Sequence, residues 1–453
     1  MWHNFYSKLF CISVPIIFRS VLANFSGFID NIMVGGLGHE AIAAVTIMNQ
    51  IFFVFICTLS GSISGASIFS NQYFAIKDYS GVKKIVIIKF VMFIFLFLIF
   101  SVLLYSLYGS LIVSFMQKDS FGMKDNIIFF CNEYFTFAFL SLISFGISIV
   151  LSTTISESGD TFKPMLICMS CVVLNTCLNY IFINHKLSFL PIFGVQGAAL
   201  ATFVSRVVEM VIMIVLFLRK DFVVNINKYF RIDKVLAYNI IKKSLPLCVD
   251  DFLYSFSFLA IIKIYSLQSV ENIVIFSIIS VVMVFFMDIM ASFGKGVEII
   301  IGYELGKNNF SNASKYAYKI ILLSFMVSII LSFFIFYIAD VINNYYNVLS
   351  STKLAIATCI HYFAYMFPFV SIYIVVFYIL RSGGKTLLTT LIDGTFIWFL
   401  EIPLQFVLIK FTSLELPMIF LFVLSLTFLK CMLGLYFINT KTWCNNLTLG
   451  IKK

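Results

Sequence analysis

The chain has 453 residues, 61% of them hydrophobic and 11% charged, with a formal net charge of +10. Soluble globular domains carry about 25% charged residues, so this composition, with a mean hydropathy of +1.03, excludes one and points to repeated membrane spans. The basic residues fall between the apolar runs and form no stripe interleaved with aromatics, so the lipid bilayer is the expected partner and nucleic acid is not.

A span needs about 20 apolar residues to cross a hydrocarbon layer about 30 Å thick. Its backbone polar groups must be satisfied within the segment, which favours helices. Long continuous runs such as IVIIKFVMFIFLFLIFSVLLY fit that requirement, and the short alternating segments of a transmembrane barrel are missing. Twelve spans are predicted, near 9–34, 45–75, 85–115, 127–154, 162–184, 194–218, 235–265, 272–302, 315–340, 352–380, 386–410 and 416–438.

The first span contains Pro15, which removes one helical hydrogen bond and kinks the helix, and Asp30 in the stretch FIDNIMVGGLG. A lone carboxylate deep in a span costs a few kcal/mol. Asp30 therefore persists by binding a cation, taking a proton or pairing with a base. Arg19 is eleven residues away on the same helix, about three turns, which is too far for direct pairing. The fourth span carries Tyr134. The fifth carries Asn175 and Asn179 on one face, and also CMSC (Cys168 to Cys171), read as apolar buried thiols rather than a redox or metal site. The sixth carries Thr202, with Arg206 and Glu209 spaced three apart as a structural ion pair. Carboxylate, amide and hydroxyl oxygens suit a small hard cation.

The seventh span holds Asp250 and Asp251, expected near the aqueous boundary, and the eighth holds Asp288, Lys295 and Glu298, the last two again three apart. A transport role for Asp250, Asp251, Asp288 or Glu298 is left open. The tenth span contains no acid, and its His361 is read as a hydrogen-bonded filler. Met33, Met48, Phe52 and Phe145 are candidate cavity-lining residues. No metal cluster emerges, and no cofactor is expected beyond the coupling ion.

Alternate connections and the tails carry about 17 Lys and Arg against about 4 in the other set. The positive-inside rule then places both termini in the cytoplasm, in a cytoplasmic membrane. The halves also repeat. SVPII at Ser13 returns as SLPLC at Ser244, NQYFAIKD ending at Asp78 returns as IGYELGKN ending at Asn308, and SESGDT ending at Thr161 returns as LRSGGKT ending at Thr386. An all-α membrane protein is expected, with two pseudo-symmetric six-helix lobes (1–220 and 235–453) joined by a cytoplasmic linker (221–234) around a central cavity.

The fragments FIDNIMVGGLGHEAIAAV, SGASIFSNQYFAIKD, SGDTFKPM, LNTCLNY, GVQGAALAT and LRSGGKT, in that order, resemble the multidrug and toxin extrusion (MATE) transporters along nearly the whole chain. The resemblance implies export of small organic, cationic compounds, driven by H+ or Na+ entry, through a cavity that opens alternately to each side. It places the ion or proton at Asp30, Tyr134, Asn175, Asn179 and Thr202, with Na+ held by Asp30, Asn175, Asn179 and Thr202. Some relatives have a carboxylate where Asn179 stands. It also makes Pro15 the hinge of a helix that bends when the acid changes state. A monomer is expected, and the Phe, Ile, Asn and Lys richness points to an AT-rich bacterial genome. Two other functions compete: a lipid-linked glycan flippase, disfavoured by the few bases in the first-half spans, and a membrane-embedded transferase, disfavoured by short loops without clustered Asp or His. A channel is disfavoured by the repeat and the single buried acid.

Overall fold

The computed structural model describes residues 2–115, 124–183, 194–219, 233–345 and 349–449. The twelve predicted runs are twelve helices, with no strand among the described residues. The first six are α1 (Trp2–Gly35), α2 (His39–Ala75), α3 (Tyr79–Phe115), α4 (Lys124–Glu157), α5 (Phe162–Ile183) and α6 (Gly194–Leu218). The second six are α7 (Lys234–Tyr265), α8 (Val270–Gly306), α9 (Phe310–Tyr345), α10 (Ser350–Ser382), α11 (Thr386–Phe411) and α12 (Leu416–Asn439). The shortest has 22 residues, about 33 Å at 1.5 Å per residue, enough to cross the hydrocarbon layer. All twelve are long and apolar enough to be spans. Of the predicted linker 221–234, only Asp233 and Lys234 are described.

The helices form two bundles. In the first, α4 packs on α2 and α6, and α5 packs on α1 and α6. In the second, α10 packs on α8, α9 and α12, and α11 lies on α7. Each bundle has its own apolar core, one running from Val34 to Ala199 and the other drawn mainly from α8 to α12. With twelve antiparallel spans, the start of α1 and the end of α12 share one side.

The bundles meet where α2 packs on α7 and α8, and α1 on α8. Glycine makes this seam close. A Cβ on Gly65 would stand 2.3 Å from Ser244 Cα, one on Gly296 2.2 Å from Ser13 Oγ, and one on Gly306 2.5 Å from the Gln72 carbonyl oxygen. Real Cβ contacts are never that short, so no larger residue fits these positions unless the backbones move apart. All the glycine contacts between the bundles lie in the half of the molecule that bears the termini.

Two local features follow directly from sequence. Pro15 has no N–H, so the carbonyl of Cys11 loses its helical donor; the Thr161 hydroxyl donates to that carbonyl at 3.2 Å. Asp233 caps α7 by accepting from the backbone N–H groups of Val235 and Leu236, each at 3.2 Å. The Leu236 bond, chiefly, holds the Asp233 carboxyl below the usual carboxylate range.

Candidate cation-coupling site

Helical spacing brings three polar faces together in the first bundle. Ala23, Ser26 and Asp30 line one face of α1; Cys171 and Asn175 project from α5, and Thr202 and Ser205 from α6, into the same cavity. The Asn179 Nδ2 donates to Asp30 Oδ1 at 2.5 Å and to Asn175 Oδ1 at 3.3 Å. Asn175 Nδ2 lies 3.5 Å from Thr202 Oγ1 and 3.4 Å from Ser205 Oγ. A chain of neutral groups thus runs from Asp30 through two amides to two hydroxyls.

The Asn179 side chain is wholly buried, and its Oδ1 has no hydrogen-bond partner among the described residues. An orphaned buried acceptor costs roughly 1–3 kcal/mol. Asp30 itself has no ion pair among the described residues. The basic group nearest in effect is Arg206, which lines the same cavity and acts on Asp30 only through space. Its Nη1 instead donates to Glu209 Oε2 at 2.8 Å, and its guanidinium lies 5.3 Å from the Phe145 ring centroid. The cavity therefore offers the Asp30 carboxylate, the Asn175 amide and the Thr202 and Ser205 hydroxyls, with the Asn179 amide bonded to Asp30 outside the lining, a donor set that accepts either a proton or a small hard cation.

Three acids of the second bundle are paired with bases, as Glu157 is with Lys89 in the first. Arg381 Nη2 meets Asp250 Oδ2 at 3.0 Å. Lys430 Nζ sits 2.9 Å from Asp393 Oδ1 and 2.8 Å from Glu401 Oε1. Asp393 and Glu401 are eight apart in α11, which on an undistorted α-helix would aim them about 80° apart. Between them, Phe396–Glu401 is a π-helical stretch. Its slower winding brings both carboxylates onto one ammonium, and such stretches cluster at functional sites.

The predicted residues separate into those that assemble and those that do not. Asp30, Asn175, Asn179 and Thr202 meet. Tyr134 is buried beside them, but its hydroxyl donates to Asn49 Oδ1 at 3.2 Å rather than to Asp30. The Arg206–Glu209 pair forms as expected, yet it faces the cavity. Lys295 and Glu298 do not pair: Glu298 is buried with Oε1 unpartnered among the described residues, while Lys295 is exposed. Asp250 does not rely on boundary water, because it is buried against Arg381. Asp288 reaches across the seam to Ser20 and Asn24 of α1, the Asn24 bond being 2.9 Å. Met48 and Phe52 are buried in the first core and are not part of the lining of the cavity beside Asp30. His361 rests on Phe336, with ring centroids 5.3 Å apart. Sequence reading missed Ser205, Asn49 and the Arg381, Asp393, Glu401 and Lys430 group. A lone lysine inside the twelfth span and two acids inside the eleventh were the available signals, since buried charges need partners.

A family model, MatE, matches residues 15–181 and 246–407, one stretch in each bundle. Each stretch begins at the proline of the repeated SVPII and SLPLC segments. The probable multidrug resistance protein YoeA of Bacillus subtilis is 24% identical over 416 residues, covering 89% of this chain and 86% of that one. The probable multidrug resistance protein NorM of Thermotoga maritima is 24% identical over 422 residues, covering 90% and 87%. Among solved structures, MATE in the bent conformation superposes with a TM-score of 0.84 at 18% identity, covering 98% of this chain and 97% of that one. The two-bundle, twelve-helix architecture is thus a MATE architecture, and the bacterial relatives make this a multi-pass bacterial membrane protein. With the family matched in both bundles, the chain belongs to the MatE family of multidrug efflux transporters and is a transporter rather than an enzyme.

Proposed function

We propose that the protein exports amphipathic, cationic organic compounds in exchange for H+ or Na+ by alternating access, with Asp30 as the coupling carboxyl. The observation that carries this reading is the contact between Asp30 and Asn179, which leaves a buried amide oxygen unsatisfied beside a carboxylate that has no ion pair. A proton on Asp30, or a sodium ion between Asp30 and the amide and hydroxyl oxygens of Asn179, Asn175 and Thr202, would complete that site. Releasing it restores an uncompensated charge, so the site has two states of comparable energy, which is what coupling requires. Tyr134 shields the site and is positioned by Asn49.

The seam supports the direction of access. Its glycine contacts close the terminus-bearing half, which the basic connections assign to the cytoplasm. In this state the cavity beside Asp30 is served from the opposite side. Pro15 lies fifteen residues before Asp30 on α1. It supplies the hinge through which a change at Asp30 bends α1 and narrows the cavity. The related MATE in its bent conformation gives the bend a structural precedent in another chain. The two lobes, 1–220 and 235–453, move as units about the linker, and a single chain suffices.

Ethidium efflux from proteoliposomes, with a proton gradient and a sodium gradient imposed separately, tests this. One gradient drives efflux in the native chain, and Asp30→Asn removes the response while the protein remains folded in the bilayer. Full gradient-driven efflux by Asp30→Asn would overturn the assignment.

A further inference from the structure

The segment after α12, Thr440–Leu449, folds back across the seam. Its anchor in the second bundle is Trp443, which is fully buried and donates its Nε1–H to the Ile438 carbonyl at 3.2 Å. The Trp443 backbone lies so close to Gly383, at the end of α10, that a Cβ there would stand 1.6 Å from the Trp443 carbonyl oxygen. Asn446 adds bonds to the Gly306 carbonyl at 3.0 Å and to Asn308 Oδ1 at 2.8 Å, just past the end of α8. Thr448 holds Asn446 in place through its N–H at 2.9 Å and its hydroxyl at 2.7 Å.

The other end of the contact belongs to the first bundle. Gln72, near the end of α2, is completely buried. Its Nε2 donates to the Ser382 carbonyl at 3.1 Å and to the Asn445 carbonyl at 3.2 Å, while its Oε1 accepts the Leu447 N–H at 2.7 Å. One side chain of the first bundle therefore grips both the end of α10 and the returning segment. The Leu447 side chain packs on an apolar cluster that includes Ala66, Phe69, Ile85 and Ile155 of the first bundle. Parting the bundles on this side breaks all three Gln72 bonds and uncovers that contact. Trp443, by contrast, makes its indole hydrogen bond and its close backbone contact within the second bundle.

We propose that Trp443–Leu447 is a strap that holds the terminus-bearing side closed, and that its release from Gln72 is the step that lets this side open. The proposal rests on the alternating-access reading above. The asymmetry of the attachment gives the strap its action: the buried tryptophan is a fixed post, and the neutral amide grip is the catch. One net hydrogen bond shifts an equilibrium about fivefold, so a catch of three is strong enough to bias the closed state and weak enough to be undone in each cycle. No charged side chain takes part in the Gln72 grip, so the catch responds to movement of the bundles and not to pH.

Spin labels at Phe162 in the first bundle and Phe310 in the second, both exposed on this side, measure the separation in a background lacking the native cysteines. The native sequence is expected to give one short distance. Gln72→Leu and Leu447→Pro, which remove the catch from its two sides, are each expected to raise the share of a longer distance at least fivefold. Gln72→Glu, which keeps the acceptor and loses the donors, is expected to lie between. Leu447 is outside the spans, so its variant separates loss of the catch from loss of folding. Unchanged distances in both Gln72→Leu and Leu447→Pro would overturn the strap. If substrate and gradient leave the native distance fixed while both variants lengthen it, the strap stands and the alternating-access reading falls. If the native distance responds and the variants match it throughout, the transport reading stands and the strap falls.

Discussion

Asp30 of the first bundle and three acids of the second live in opposite chemistry. Asp30 is held by the amide of Asn179 and faces a run of neutral oxygens and amides, whereas Asp250, Asp393 and Glu401 each rest on a tethered cation. A carboxylate with a covalently attached counter-ion has no need of a mobile one; breaking such a pair leaves an uncompensated charge. A carboxylate hydrogen-bonded only to neutral groups keeps room for a proton or a mobile cation. The contrast supports the proposed exchange at Asp30 and marks Asp250, Asp393 and Glu401 as neutralised acids, like Glu157 on Lys89 in the first bundle. It also separates Asp288, which reaches neutral groups of α1 across the seam and ties the bundles together rather than neutralising a base.

The largest expected effect tests the two sites directly. Asp30→Asn should reduce gradient-driven efflux by at least about a hundredfold, whereas Glu401→Gln should leave a measurable gradient response, because Asp393 still neutralises Lys430. Equal losses in the two variants would erase the distinction. The next effect is on stability. Lys430→Met leaves the partly exposed Asp393 and Glu401 without their shared ammonium and should lower the thermal midpoint in detergent. Adding Asp393→Asn and Glu401→Gln to Lys430→Met should recover most of that loss, which marks the role as neutralisation.

Thr161→Val sharpens the account of α1. It strands the Cys11 carbonyl that Pro15 frees and should cost about 1–3 kcal/mol, an effect that Pro15→Ala in the same chain should suppress by restoring the helical donor. Asp233→Ala should cost about 1 kcal/mol through loss of the α7 cap. Because the Asp233 carboxyl is held below its ordinary range in the folded protein, its contribution is present above the unfolded carboxylate pKa and fades as pH falls through the folded one. A stability difference between native and Asp233→Ala that persists unchanged to acid would remove the cap from the account.

Much of the architecture was legible before any coordinate. The twelve runs became twelve helices, and the repeat of SVPII as SLPLC reappears as the two stretches matched to the family. The Asn175–Asn179 spacing put both amides on one face, and Arg206 met Glu209 because three residues make nearly one turn. The pairing of Lys295 with Glu298 rested on the same spacing and failed: Glu298 is buried while Lys295 is exposed. Spacing allows such a contact, but packing selects among the contacts it allows. The Lys430 triad was hidden for a related reason, since the π stretch in α11 resets the angular count on which a helical face is read.

By itself the sequence determined what depends on the chain locally: which segments enter the membrane, that they are helical, how they repeat, and that an acid sits where water is scarce. Only the tertiary structure decided which group answers each buried charge. Asp30 and Asn179 are 149 residues apart, and Gln72 and the Leu447 N–H 375. Such partners are chosen by the rotation and depth at which helices pack, and these are set by the close contacts of whole bundles rather than by any one segment.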